Sequence, residues 1–122
     1  MDLKSCYLRL GGDYDEVLGR LHKESLVEKF LFKFLDDGSF RLLEESFANG
    51  NHEEAFRAAH TLKGVCQNLS FTQLYRSSNE MTEFLRGGTG LDAPELLAQV
   101  TADYRQTVDA ILAYQTSREE HG

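Results

Sequence analysis

Residues 51–69 read NHEEAFRAAHTLKGVCQNL, and the spacing of their apolar positions decides the fold. At roughly 100° per residue, Ala55, Ala58, Ala59, Leu62, Val65, Cys66 and Leu69 gather on one side of a helix, and that side belongs to a core. Asn51 stands where its side chain can cap the free N–H groups of the first turn. Glu54, three residues later, stands where it can reach back, as in a capping box. His60 falls nearly opposite the apolar stripe, with Arg57, Gly64 and Gln67 beside it and Phe56 and Lys63 flanking them. Its imidazole is therefore expected in water, projecting from the middle of a rigid helix, whereas a structural histidine more often sits half-buried and anchored.

The segments on either side repeat the same period. A short helix is expected from Asp13, burying Tyr14, Val17, Leu18 and Leu21 as a lid over one end. Between Ser25 and Asp37 the positions Leu26, Val27, Phe30, Leu31, Phe34 and Leu35 keep helical spacing, and Gly38 is expected to end that helix in the left-handed conformation. Phe40, Leu43 and Phe47 mark a shorter helix from about Ser39 to Ala48, closed by Asn49-Gly50. After Leu69, Ser70 with Gln73 offers another capping pair, opening a helix through Phe71, Leu74, Tyr75, Ser78, Met81 and Leu85 that stops at Gly87-Gly88. Asp92, with Pro94 in the first turn, starts a last helix through Leu96, Leu97, Val100, Tyr104, Val108, Ile111 and Leu112, with a polar tail expected to fray from about Thr116. Short connections force such helices to pack against their neighbours in sequence. The expected fold is all-α: an antiparallel up-down four-helix bundle of the segments starting near Ser25, Asn51, Ser70 and Asp92, with those starting near Asp13 and Ser39 as short accessory helices. One domain, residues 1–122, is expected, with its bundle core over about 13–115.

Composition narrows the function. The chain has 122 residues, 41% of them hydrophobic, enough to bury a core without metals or disulfides. A formal charge of -7 argues against nucleic acid as a partner, since that binding needs clustered Lys and Arg. No stretch approaches a membrane span, and Met1-Asp2-Leu3-Lys4-Ser5 does not open a signal peptide, so a cytoplasmic location is expected. Cys6 and Cys66 form no CxxC pair, and Cys66 reads as a small core residue.

Lys63 one turn after His60 and Arg57 one turn before it place positive charge beside the ring on an otherwise acidic molecule, which suits a transferred anion. Gly64 costs roughly 1 kcal/mol relative to Ala in a helix interior, so its place beside His60 points to close approach by another protein. Ala59-His60-Thr61-Leu62-Lys63-Gly64, then Asn68-Leu69 and an amphipathic helix, resembles the signature of histidine phosphotransfer domains. The Phe-rich helix ending at Asp37-Gly38 and the Asn49-Gly50-Asn51 corner extend the resemblance over about Asp13 to Gly87; the last helix agrees in character only. The resemblance implies that His60 is the phosphoacceptor, that Lys63 sits near the phosphoryl group and that Gly64 leaves room for a receiver domain. The implied partners are a response-regulator receiver domain, a hybrid sensor kinase, or both, serving a phosphorelay.

The sequence departs from that family's pattern at two places. Gly usually follows Asn-Leu, where this chain has Ser70; capping with Gln73 is expected to make the exchange harmless. Many members carry a Gln or Glu on the next helix that hydrogen-bonds the far imidazole nitrogen, and the aligned residue here is Thr82. Thr82, Asn79 one turn earlier, or solvent is left to orient the ring. Gln67 is expected to bond the phosphoryl group or a partner loop, and Phe56 to join a docking patch or to be covered by a neighbouring helix.

With no Gly-rich nucleotide loop and no carboxylate cluster beside His60, the chain is read as a phosphocarrier without catalytic activity, cofactor or metal of its own, Mg2+ coming from the receiver. A monomer is expected. Two other readings compete: a helical adaptor that binds receivers or kinases without accepting phosphate, and a metal-carrying bundle. The second is disfavoured because His22, His52, His60 and His121 share no inward face.

Overall fold

The computed structural model describes residues 1–88 and 90–121, and among them every regular element is helical. Seven helices follow in order: α1 (Leu3–Leu10), α2 (Tyr14–Leu21), α3 (Glu24–Phe34), α4 (Ser39–Asn49), α5 (His52–Leu69), α6 (Thr72–Arg86) and α7 (Pro94–His121). The four-helix bundle consists of α3, α5, α6 and α7, closed because α3 touches both α5 and α7 while α6 lies against α5 and α7. The accessory helices dress it: α4 lies along α5, α2 on α3, and α1 along α7. The core runs through all of them, from Leu3, Cys6 and Tyr7 by way of Leu31, Phe34, Leu43, Leu62 and Phe71 to Ile111 and Tyr114.

The first helix lies outside the expected bounds, which began the bundle at Asp13. Leu3, Cys6, Tyr7 and Leu10 bury one face of α1 completely or nearly so, Asp2 caps it by accepting from the Ser5 N–H at 2.8 Å, and Gly11 ends it at φ 79°. The following helix is less buried than expected: of Tyr14, Val17, Leu18 and Leu21 only Val17 is wholly enclosed.

Four termini also differ from expectation. Helix α3 stops at Phe34, and three tight bonds, Leu35 N–H to Phe32, Asp36 N–H to Lys33 and Asp37 N–H to Phe34, carry the chain on. Gly38 consequently has φ -92° and no left-handed role; the Asp37 carboxylate accepts from the Ser39 N–H instead. At α5, Asn51 caps as expected by accepting from the Glu54 N–H at 3.1 Å, but no capping box closes, because the Asn51 N–H is already bonded to the Ser46 carbonyl. Nor does Ser70 cap α6: it is the left-handed residue that ends α5, at φ 57°. The Gln73 side chain is spent on Asp103 and Gln106 of α7. Finally, α7 stays helical to His121 rather than fraying, with Ser117 accepting from the Met1 ammonium group and Arg118 paired to Glu28 at 3.1 Å.

Candidate functional site

Helix α5 fixes His60 by what lies behind it. Ala55, Ala58, Ala59, Leu62 and Cys66 are buried to within 1% of complete exclusion, so the helix cannot roll, and His60 is exposed on the other side. Around the ring the exposed edge carries Arg57, Thr61, Gln67 and Asn68, with Phe56, Lys63 and Gly64 half-buried. His60, Arg57, Phe56, Lys63, Gly64 and Gln67 therefore share one face of α5, while Asn79 and Thr82 lie on α6.

Their electrostatic roles differ. The Arg57 guanidinium is engaged with Glu53, one turn back on the surface, at 3.4 Å. Among the described residues the Lys63 ammonium has no carboxylate partner, so its charge is available to an anion at His60, one turn away. Gln67 is two turns on, about 10 Å along the axis, which suits contact with a docked protein better than contact with a group on the imidazole. A Cβ built on Gly64 would meet nothing within 4 Å, so packing inside the chain does not require glycine there.

The Phe56 ring is 6.0 Å from the His60 ring, centre to centre, and tilted by 47° to it. Across from it the guanidinium carbon of Arg86, in the last turn of α6, lies 5.2 Å from the Phe56 centre, and Arg86 also pairs with Glu83 at 3.2 Å. Sequence reasoning missed Arg86. The signal was the antiparallel register itself: if residue 82 is level with 60, residue 86 is level with 56.

The expected orienting residues do not reach the ring. Thr82 is wholly buried, and its hydroxyl donates to the Ser78 carbonyl at 2.7 Å, one turn back along α6. Asn79 is half-buried, and no side-chain hydrogen bond joins it to His60. Among the described residues no hydrogen bond of any kind reaches the imidazole.

The other histidines are dispersed. His22 ends α2 at φ 69°, His52 opens α5 about 12 Å along the axis from His60, and the His121 side chain lies outside the described residues. No group of three His, Cys, Asp or Glu side chains converges among the described residues, and none of the helices there is long and apolar enough to cross a membrane. The two cysteines are buried and free; burial pushes the Cys6 thiol up to about 11 and raises Cys66 further, which leaves neither as a ready nucleophile.

Comparison with known proteins adds one finding. The family model for the Hpt domain matches residues 27–113, a stretch from α3 into α7 that includes the whole of α5. Searches of curated proteins and of solved structures return no significant match. With well over half the chain matched, and with the helical bundle that the match requires in place, the chain belongs to the Hpt domain family, whose members serve histidine phosphotransfer in phosphorelays.

Proposed function

We infer that the chain carries a phosphoryl group on Nε2 of His60, taking it from and giving it to receiver domains or a hybrid sensor kinase in the cytoplasm. The observation that carries this reading is the pairing of an exposed imidazole with an uncommitted cation one turn away, on a helix whose opposite face is sealed. In the forward step the Nε2 lone pair attacks the phosphorus of a receiver's aspartyl phosphate. A P–N bond forms as the P–O bond to the acyl oxygen breaks, the carboxylate leaves with the electron pair, and Nδ1 releases its proton to solvent.

Phosphoryl transfer needs alignment and neutralised charge more than covalent assistance from the protein. Lys63 neutralises the transferring oxygens. Gly64, with open space above it, admits the partner's backbone, while Arg57, Gln67 and Phe56 lie under its footprint. The acidic pocket and the Mg2+ come from the receiver, so the chain is a carrier and not a free-standing catalyst, and it is taken to act as a monomer.

The test is incubation with phosphorylated receivers from the same cell, and separately with phosphoramidate as a small phosphoryl donor. The expected product is a label that is lost in acid, kept in base, and absent from His60→Gln. A receiver that binds at this face without ever transferring label would establish the adaptor reading in its place.

A further inference from the structure

Residues 1–26 precede the family-matched stretch, yet they hold the end of the helix that carries His60. Three consecutive carbonyls there are each satisfied from α1, α2 and the corner between them. Arg20 Nη1 donates to the Asn68 carbonyl at 2.8 Å, the Tyr7 hydroxyl to that of Leu69 at 2.9 Å, and the Asp13 N–H to that of Ser70 at 2.9 Å. The approach is so close that a Cβ on Gly12 would come within 2.7 Å of the Ser70 carbonyl oxygen.

Arg20 does more than close this junction. It donates to Ser70 Oγ at 2.9 Å and pairs with Glu16 at 3.6 Å, and its side chain still keeps 40% of its surface open to solvent. It lines two clefts beside the exposed edge of α5. One, of about 650 Å³, is walled by Phe30, Phe34 and Val65; the other, of about 360 Å³, by Gln67 and Tyr75.

Asn68 is eight residues beyond His60, about 12 Å along the axis. A specific protein partner covers about 800 Å² of each surface, a disc of roughly 16 Å radius if centred on the reacting group. A footprint of that size centred on His60 reaches the end of α5, where Arg20 is bonded to the Asn68 carbonyl. We propose that Arg20 is a specificity-determining cation on this docking face, held in place by Asn68 and Ser70, and that it selects receivers presenting a carboxylate or carbonyl oxygen at the rim of their acidic pocket. This rests on the reading of His60 as phosphoryl carrier. Because a rim charge acts on encounter and not on chemistry, its removal shows in KM and in salt dependence rather than in kcat.

The probe is the receiver domain that takes label from His60 in the transfer assay. As it is added to the unaltered chain, the amide resonances of residues 16–22 shift together with those of 57–68. In Arg20→Ala, KM for that receiver rises by at least about threefold and depends less on salt, kcat stays within about twofold, and labelling by phosphoramidate is unchanged. Arg20→Lys, which keeps the charge, recovers most of the loss. Shifts confined to α5, or a KM unchanged in Arg20→Ala, overturn the proposal while leaving the carrier reading intact. A chain whose His60 takes label from no donor sinks the carrier reading, and this one with it.

Discussion

Arg86 of α6 covers the Phe56 ring of α5, its guanidinium carbon 5.2 Å from the ring centre, and so tethers the aromatic wall beside His60 to the neighbouring helix. The contact is partly exposed, and Arg86 shares itself with Glu83, so its worth is modest. A double-mutant cycle with Phe56→Ala and Arg86→Ala is expected to give a coupling of about 0.5–1 kcal/mol by urea unfolding. A coupling indistinguishable from zero would mean that the two side chains merely lie near each other.

Gly64 separates folding from docking. Open space surrounds the missing Cβ and the backbone there is helical, so Gly64→Ala is expected to stabilise the chain by about 0.5–1 kcal/mol. If a partner's backbone needs that gap, the same variant slows transfer from a phosphorylated receiver by an order of magnitude or so while phosphoramidate still labels His60 at the parent rate. Receiver transfer at the parent rate would show that nothing approaches closely there.

Ser70 weighs strain against bonding. Its left-handed φ of 57° costs about 1 kcal/mol or more for any residue but glycine, while its hydroxyl donates to Glu16 at 2.7 Å and accepts from Arg20. Two partly buried hydrogen bonds contribute about 0.5–1.5 kcal/mol each, so the two effects nearly cancel. Ser70→Gly is therefore expected within about 1 kcal/mol of the parent, and Ser70→Ala, which keeps the strain and loses the bonds, to be less stable by about 1–2 kcal/mol. Urea midpoints that place the alanine variant above the glycine one would contradict the balance.

Alkali is expected to weaken the fold. Desolvation raises the thiols of Cys6 and Cys66 from the usual 9.0, and the phenols of Tyr7 and Tyr114 from the usual 10.0. Each group holds its proton longer folded than unfolded, so its contribution is complete below the unfolded value and shrinks as pH rises above it. For Cys6, pushed up to about 11, the loss runs from pH 9 to about 11, at about 1.4 kcal/mol per pH unit. Urea midpoints measured from pH 8 to 11 are expected to hold steady to about pH 9 and then fall, less steeply in a variant with Ala at Cys66.

The bundle was legible because its helices are periodic and bounded by residues with stereochemical preferences: Asn51, Gly50 and Pro94 all act as their types suggest. Helix α1 was missed although Asp2, the spacing of Leu3, Cys6, Tyr7 and Leu10, and Gly11 mark it, because eight residues carry little pattern unless α7 is there to receive them. Ser70 misled for a physical reason. A serine followed three residues later by glutamine fits a helix start, and only the tertiary bonds to Glu16 and Arg20 make it a helix end. At the site, one helix wheel brought His60, Lys63, Gly64 and Gln67 together because a single element carries them. Arg86, over Phe56, and Arg20, at the end of α5, come from other elements and depend on register and on a docked N-terminal segment, which no local pattern encodes.

Among the described residues no hydrogen bond holds the His60 ring: Thr82 is spent on Ser78, and Lys63 offers charge without a lone pair. The imidazole is a swivel on a fixed post. The post delivers it to a defined point in space, and the entropy of fixing the ring for Nε2 to react falls on the encounter.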